Sequence, residues 1–405
     1  MHQLLQPELK RRTGIVAGVV TLLMLAALWL PLLLGIAATE APPPVREALE
    51  SVALIGEPAV PRPAFPTLRE LRLGEFQTAF AAWFSRILYP RSLVVRLTNQ
   101  LQYDLFARSE MYNGGIVVGQ NAELYEKTYI EAHCHSVAAG LPAFDNMIVK
   151  IRDVQDKLRK LGKPFIFVTS PSKPVSLPQN LPPGACGSNA STGSQLAGFV
   201  DRLRQAGVAV VDGAAMTREM NRTDPLPAFP QGGTHWSDLV SMRVSREMLQ
   251  ALNASTGTNL GSYQIGTPNW TSPAKGSDVD LAMLLNLYRP PISFATGSAS
   301  TTCEPSDIGR RTSLLVIGGS FAGGLIQPID DCKLFAKIDY YFYYNLSLVK
   351  YPGAVTGPVD RAKIDWAGLL AGPVAIVAEL NEHYLSGGAP LPWLTPFLDD
   401  VLAAP

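Results

Sequence analysis

Residues 314–324 read LLVIGGSFAGG and carry the signal that decides the fold. Four consecutive apolar residues that end at paired glycines are typical of a buried parallel strand followed by a tight turn. Ser320 stands on that turn, where a serine at the edge of a sheet has free backbone N–H groups beside it. A nucleophile and a developing oxyanion both need such a setting. An ordinary turn that contains Gly and Ser remains the alternative.

Similar apolar runs alternate with helical patterns through the rest of the chain, while 184–194 and 254–312 have the composition of loops. Near-continuous β-branched runs separated by helices predict an α/β fold of three layers, with a mostly parallel sheet covered on both faces. Ligands of such sheets bind beyond the carboxyl ends of the strands. The patterns predict helices over 145–161, 194–206 and 238–252, and strands over 164–170, 208–211, 314–317 and 374–378.

The overall composition narrows the class of protein. The 405 residues include 34 Lys plus Arg and 34 Asp plus Glu, so the formal net charge is zero. This balance argues against nucleic-acid binding, which takes an excess of basic residues. The 47% hydrophobic content argues against disorder.

The first 66 residues predict a membrane anchor and a tether. Residues 15–38 form an uncharged run long enough to span a bilayer as a helix, with Lys and Arg just before it. This predicts a cytoplasmic tail (1–14), an anchor (15–38) and a Pro-rich tether (39–66), with a cleaved signal peptide as the alternative. The expected location is the bacterial inner membrane as a single-pass protein. Residues 67–405 would form a periplasmic domain with a helical lead-in over 67–110 that breaks near Pro90.

Four cysteines fit an oxidising compartment, in which an even number can close two bridges. Of the three possible connectivities, the pairing of Cys134 with Cys186 and Cys303 with Cys332 is favoured. Their spacings give no zinc signature, and no metal or cofactor is expected.

Two further segments contain residues that are candidates for a functional site. His235 lies in a glycine-rich loop just before a predicted helix, where the helix dipole favours a neutral ring that accepts a proton. A structural histidine is the equal alternative. Lys173 follows the strand predicted over 164–170 and is a candidate for binding a substrate carboxylate or sugar, although a solvated loop lysine is the commoner case.

Taken in order, five segments resemble the AlgJ/AlgX-like family of SGNH-hydrolase-related proteins, which O-acetylate exported bacterial polysaccharides. The histidine precedes the serine, as in the permuted arrangement of that acetyltransferase group. The resemblance implies an SGNH-hydrolase-like fold, with Ser320 as nucleophile and His235 as base. The segments are 117–126 (VVGQNAELYE), 171–173 (PSK), 233–237 (GTHWS), 318–321 (GGSF) and 379–382 (ELNE).

The chain departs from the family pattern at two glycines. Gly233 stands where members with a full triad carry Asp, and Gly319 replaces the Asp of the G-D-S segment. The acid of the triad is then either lost or supplied from elsewhere, and the sequence does not rank the candidates. They are Asp238, Asp224 and Glu379, and the candidates for oxyanion or substrate binding are Gly319, Asn286, Trp236 and Lys173.

Three functions remain open. The first is a membrane-anchored O-acetyltransferase that relays acetyl through a serine acyl-enzyme to an exported polysaccharide. The resemblance implies as partners an MBOAT-type acyltransferase, which supplies the acetyl group, and other proteins of exopolysaccharide synthesis and secretion. The second is a catalytically silent glycan-binding or scaffold subunit of the acetylation complex. The third is an acetylesterase that uses the same Ser and His.

Overall fold

The computed structural model describes residues 18–22, 24–26, 29, 33, 54–56, 64–87, 91–109, 115–135, 144–187, 195–225, 227–353, 355–385 and 391–404. The chain divides into two units. The first comprises Met1–Ala107 and Met283–Pro290, and the second comprises Arg108–Ala282 and Pro291–Pro405. The domain boundaries expected from the sequence stay predictions.

A seven-stranded sheet forms the centre of the second unit, in the order β12-β11-β10-β9-β13-β3-β4. Strands β10, β9, β13, β3 and β4 run parallel, whereas β11 and β12 join antiparallel at one edge. The sheet is therefore mixed, which qualifies the mostly parallel sheet of the prediction. The strands are β1 (Ile116–Val118), β2 (Leu124–Glu126), β3 (Phe165–Ser170), β4 (Val210–Asp212), β5 (Ser262–Ile265), β6 (Asn269–Thr271), β7 (Thr296–Ser298), β8 (Thr301–Glu304), β9 (Ser313–Gly318), β10 (Lys337–Phe342), β11 (Ser347–Tyr351), β12 (Val355–Thr356) and β13 (Val374–Asn381).

Helices cover both faces of this sheet. The described helices are α1 (Leu68–Arg72), α2 (Phe76–Ile87), α3 (Arg91–Phe106), α4 (Lys127–Cys134), α5 (Asp145–Lys160), α6 (Lys173–Ser176), α7 (Gln195–Gln205), α8 (Gly213–Thr223), α9 (Asp238–Thr256), α10 (Asp280–Leu284), α11 (Ala322–Asp331), α12 (Trp366–Ala371) and α13 (Leu394–Ala403).

Alternate residues of the central strands enter two separate cores. Phe167 and Ile317 pack with α5, α7 and α13 on one face, while Val168 and Val316 pack with α9 and α11 on the other. Because both faces are covered, β3 and β13 are buried along their whole length. The three-layer α/β prediction is confirmed.

The segment 254–312 is not a plain loop. Strand β5 pairs antiparallel with β8, and β6 pairs antiparallel with β7. These strands are three or four residues long and are rich in Thr, Ser, Asn and Gln, so their sequence lacks the apolar pattern of a buried strand.

The first unit contains α1, α2 and α3, as the helical lead-in predicts. Within it, Nδ2 of Asn99 donates to the carbonyl oxygens of Leu285 (3.1 Å) and Asn286 (3.3 Å), which fastens α3 to the segment 283–290. Pro90 lies outside the described residues.

The predicted location as a single-pass inner-membrane protein needs correction. Most of residues 15–38 lie outside the described part, as do the predicted tail (1–14) and nearly all of the tether (39–66). Among the residues that are described, no helix combines the length and the apolar character needed to cross a bilayer.

Both disulfide bonds follow the favoured pairing. Cys134 is bonded to Cys186 with Cα atoms 5.0 Å apart, and Cys303 is bonded to Cys332 with Cα atoms 5.2 Å apart. The first lies in a small core with Tyr125, and the second ties β8 to the end of α11.

Candidate active site

Ser320 lies at the carboxyl end of β9, on the turn that leads into α11. The N–H of Ala322 donates to the carbonyl oxygen of Gly319 (3.1 Å), which closes the turn. Within the described part of the chain, the backbone N–H groups of Ser320 and Phe321 donate no hydrogen bond. Two free N–H groups beside a serine hydroxyl are what an oxyanion hole requires.

The side chain of Glu379, on the neighbouring strand β13, supports the turn that carries Ser320. Its carboxyl group is fully buried at the end of β13 and accepts hydrogen bonds from the N–H of Gly319 (2.8 Å) and from Oγ of Ser170. A Cβ atom at Gly318 would lie 2.8 Å from Oε2 of Glu379, so only glycine fits there. Burial raises the pKa of Glu379 to about 7, against the lowering effect of both hydrogen bonds. The carboxyl group lost at position 319 is thus replaced from the neighbouring strand.

The contact with Glu379 bears on the prediction that Gly319 binds the oxyanion or the substrate. Its N–H is taken by Glu379, and its carbonyl oxygen accepts from the hydroxyl of Tyr340. Gly319 therefore shapes the turn in this structure, and the free donors are the next two residues along the chain.

His235 lies in the loop before α9, with its ring oriented by a carboxylate. Its Nδ1 atom lies 2.5 Å from Oδ2 of Asp280. Because a carboxylate only accepts, the proton of the neutral ring belongs on Nδ1, and Nε2 is left as the acceptor. Nε2 is shielded from solvent and has no hydrogen-bond partner among the described residues.

His235 and Ser320 line the same cavity, which has a volume of about 520 Å³. The ring of Phe321 lies 4.9 Å from the imidazole, centre to centre. The remaining walls combine aromatic rings with hydroxyl, amide and carboxyl groups. They are Trp236, Asp238, Ser241, Ser277, Phe321, Gln327, Tyr340, Phe342 and Ser347, with Gly323, Gly324 and Val349.

Asp280 was not among the acids considered from the sequence. Its Oδ1 accepts the N–H groups of Thr234 (2.9 Å) and Leu281 (2.6 Å), so the carboxylate joins the histidine loop to α10. The loop glycines make this possible. A Cβ atom at Gly233 would lie 2.7 Å from the carbonyl oxygen of Ser277, so the segment before Asp280 occupies the place of a side chain.

The three acids proposed from the sequence have other surroundings. Asp224 forms an ion pair with Arg243, and Glu379 braces the serine turn. Asp238 lies in the first turn of α9 and lines the cavity, and burial raises its pKa. In the orienting position beside Nδ1, the structure has Asp280 instead of these residues.

Lys173 is buried, so the expectation that it meets substrate needs correction. Its Nζ atom pairs with Oε2 of Glu123 (2.8 Å). The same ammonium donates to the carbonyl oxygens of Pro230 (2.7 Å), Gln231 (3.1 Å) and Gly233 (2.9 Å). Lys173 therefore holds the loop that carries His235.

The structure also shows the surroundings of the two remaining candidates, Trp236 and Asn286. The side chain of Trp236 is 2% exposed and lines the cavity beside His235, and its Nε1 atom has no partner within the described chain. Asn286 belongs to the first unit, where its Oδ1 accepts from the N–H of Ile55 (2.8 Å) and its Nδ2 donates to the carbonyl of Ile55 (3.0 Å). Its role as an oxyanion donor stays a prediction.

Residues 116–303 match the model of the SGNH hydrolase-like domain of the acetyltransferase AlgX. This segment is similar to that domain over 188 of the 405 residues. The match includes Lys173, His235 and Asp280 and ends before β9. It confirms the predicted resemblance to the AlgJ/AlgX-like family and supports O-acetyltransferase activity. No curated protein matches the chain significantly.

Three solved structures are similar to this chain. The O-acetyltransferase domain of Pseudomonas putida AlgJ is 17% identical and has a TM-score of 0.42, covering 70% of this chain and 99% of that one. Pseudomonas aeruginosa AlgX is 14% identical with a TM-score of 0.43, over 70% and 67% of the two chains. Bacillus cereus PatB1 is 10% identical with a TM-score of 0.38, over 67% and 97%.

Proposed function

We propose that this protein transfers acetyl groups to hydroxyls of an exported polysaccharide through an acyl-enzyme on Ser320. The observation that carries the proposal is the pair formed by His235 and Asp280, which leaves Nε2 free as a base in the cavity that Ser320 lines. A nucleophile, a base and an orienting acid in this relation suit acyl transfer.

The reaction takes place in two halves. Oγ of Ser320 attacks the carbonyl carbon of the acetyl donor while its proton moves to Nε2 of His235. The N–H groups of Ser320 and Phe321 stabilise the oxyanion of the tetrahedral intermediate. When the intermediate collapses, the bond to the leaving group breaks and the leaving group takes the proton from Nε2.

The second half repeats these steps with a sugar. A sugar hydroxyl gives its proton to Nε2 and attacks the acyl carbon, and Ser320 recovers the proton as it leaves. Asp280 keeps Nδ1 protonated and stabilises the imidazolium of each half. Both steps are balanced by the acetyl donor, the sugar hydroxyl and the side chains named here.

The partners of this reaction follow from the family. The acceptor is an exported polysaccharide, and the acetyl donor is an MBOAT-type acyltransferase acting with other proteins of exopolysaccharide synthesis and secretion. The aromatic and hydroxyl-bearing walls of the cavity suit a sugar, because sugar rings have apolar faces and polar edges.

The scaffold alternative rested on two glycines, Gly233 and Gly319, that stand where the family pattern has Asp. The carboxylate of Asp280 beside His235 weighs against it. An esterase would use the same Ser320 and differs only in the acceptor, since water then takes the place of the sugar hydroxyl.

One experiment separates the three functions. The full chain and Ser320→Ala are incubated with a chromogenic acetyl ester and a short glycan acceptor. We expect ester turnover and acetylated glycan from the wild type alone. Acetate without acetylated glycan would indicate the esterase. Equal background turnover by both proteins, with glycan binding retained, would contradict catalysis and favour the scaffold.

A further inference from the structure

A second cavity, of about 680 Å³, shares no lining residue with the cavity of Ser320. It lies between α6, α8 and the loop after α8, within the second unit. Its volume is in the range of cavities that hold small molecules. Apolar side chains form much of its wall, namely Val175, Leu177, Pro178, Pro225, Pro227 and Phe229.

Three polar groups of this wall have unused hydrogen-bonding capacity. Oγ of Ser176, Nη1 of Arg218 and Nδ2 of Asn221 are shielded from solvent and have no hydrogen-bond partner among the described residues. Shielded polar side chains are normally paired, because an unpaired buried donor has lost its hydrogen bonds to water without replacement. Three such groups around one cavity point to a ligand that supplies the acceptors.

Two carboxylates and one amide oxygen of the same wall already have partners. Oδ1 of Asn221 accepts from the N–H of Ala228 (3.2 Å). The carboxylate of Glu123 pairs with Lys173 (2.8 Å), and that of Asp224 pairs with Arg243. The three unpaired groups, a hydroxyl, a guanidinium nitrogen and an amide nitrogen, can each donate a hydrogen bond.

Arg218 also differs from the other arginine of the wall. Arg222 is paired with Glu219, one turn away on α8. Arg218 has no carboxylate partner within the described chain. A guanidinium and two uncharged donors make a set that suits a planar anion with two oxygens.

We propose that this cavity binds the carboxylate group of a ligand, with Arg218 as its counter-ion and with Ser176 and Asn221 as further donors. The apolar wall covers the body of the ligand. A small free acid and a sugar acid carry the same group, and the larger one fills more of the cavity. The site is separate from the acyl transfer proposed above and does not depend on it.

Binding of three probes by the full chain tests this site in titration calorimetry. The probes are glucuronate, glucose as its uncharged counterpart, and acetate. We expect glucuronate to bind about tenfold or more tightly than glucose, since a hydrogen bond to a charged group contributes roughly 1.5–3 kcal/mol. Acetate binding as tightly as glucuronate would identify a small free acid as the ligand, whereas a preference for glucuronate would identify a sugar acid.

Two arginine variants show whether the probe occupies this cavity. Arg218→Gln should weaken glucuronate binding about tenfold or more, while Arg222→Gln, which removes a paired arginine of the same wall, should retain it. Ser176→Ala should weaken binding less than Arg218→Gln, and it covers the case in which the arginine variant fails to fold. The proposal is wrong if the wild type binds no carboxylate, or if both Arg218→Gln and Ser176→Ala bind it unchanged. Ester turnover by the same proteins reports separately on Ser320.

Discussion

Asp280 connects three groups through one carboxylate. Oδ2 meets Nδ1 of His235, while Oδ1 accepts the N–H groups of Thr234 and Leu281. Because Thr234 precedes the histidine directly, the same side chain fixes both the ring and the backbone that carries it. Its two oxygens therefore have separate partners, and under the proposed function one serves the reaction and the other the loop.

Asp280→Asn tests the first of these tasks. The amide can still meet the backbone donors, but it no longer stabilises the imidazolium or the tautomer with the proton on Nδ1. We expect the rate of Ser320 acylation to fall by roughly 10⁴, the effect of the same change in a serine-protease triad. Stopped-flow detection of the chromogenic leaving group measures it. Asp201→Asn on the exposed side of α7 is the matched control, and an Asp280→Asn rate within a few-fold of wild type contradicts the assignment.

Lys173 and Glu123 form a buried pair whose members should be strongly coupled. Lys173→Met leaves Glu123 without its counter-ion and three carbonyl groups without their donor. Breaking one partner of a buried pair costs about 3–5 kcal/mol, so we expect a loss of that order in the free energy of unfolding.

The double variant Lys173→Met/Glu123→Gln should recover part of this loss, because the uncompensated charge is gone. Urea unfolding of the wild type, the two single variants and the double variant completes the cycle. Strictly additive losses would contradict a direct coupling between the two side chains.

At the scale of elements, the carboxyl ends of β9 and β13 position Ser320. Glu379 on β13 is the bridge, since it accepts from the turn that follows β9 and from Ser170 at the end of β3. Three neighbouring parallel strands are thereby tied together at the edge where the site lies.

Glu379 should make stability depend on pH. Burial raises its pKa from 4.5 to about 7 in the folded protein, so the folded state holds a proton that the unfolded state has lost between these values. The contribution to stability is full below pH 4.5 and is lost as the pH rises through 7. The loss is on the order of 3 kcal/mol.

Glu379→Gln removes this titration while it keeps an oxygen that can accept from Gly319. Urea unfolding between pH 4.5 and 7.5 should show the wild type losing stability relative to Glu379→Gln as the pH rises. Parallel pH profiles of the two proteins would contradict a titrating Glu379.

The sequence predicts the central elements well and the edges poorly, for a physical reason. Strands β3, β9 and β13 are near-continuous apolar runs because both faces are covered, and each was predicted to within three residues at its ends. Strand β10 reads KIDYYF and carries charge, and β5 to β8 are short and polar. Such strands exist because of pairing with distant segments, and local sequence does not show this.

The residues of the candidate site also differ in how well the sequence predicts them. Ser320 and His235 stand in local motifs and line one cavity, and their roles as nucleophile and base stay predictions. Asp280 lies 45 residues after His235 in the chain, and nothing in its local sequence distinguishes it from Asp278. The only local signal is the pair of glycines before the histidine, which leaves space for another segment.

At the scale of the whole molecule, the two disulfide bonds restrict separate parts of the second unit. Cys134–Cys186 closes a separation of 52 residues, and Cys303–Cys332 closes one of 29. Loop-closure entropy predicts that each bond contributes about 4 kcal/mol to stability, with slightly more from the longer loop.

Reduction should therefore lower the urea midpoint of the wild type, and the variant with all four cysteines changed to alanine should not respond to reductant. Peptide mapping under non-reducing conditions should recover the two linked pairs. A linkage between Cys134 and Cys303 would contradict this account, as would a wild-type urea midpoint that is the same with and without reductant.

Under the proposed function, the sheet, the loop held by Lys173 and the helix that carries Asp280 all serve one reactive serine, Ser320. The most direct test is peptide mapping by mass spectrometry after rapid quenching of the full chain with an activated acetyl ester. We expect one acetyl group on the peptide that contains Ser320, none after Ser320→Ala, and a much slower build-up after Asp280→Asn. Acetylation at another residue, or build-up at the same rate in Asp280→Asn, would contradict the acyl-enzyme on Ser320 that His235 and Asp280 activate.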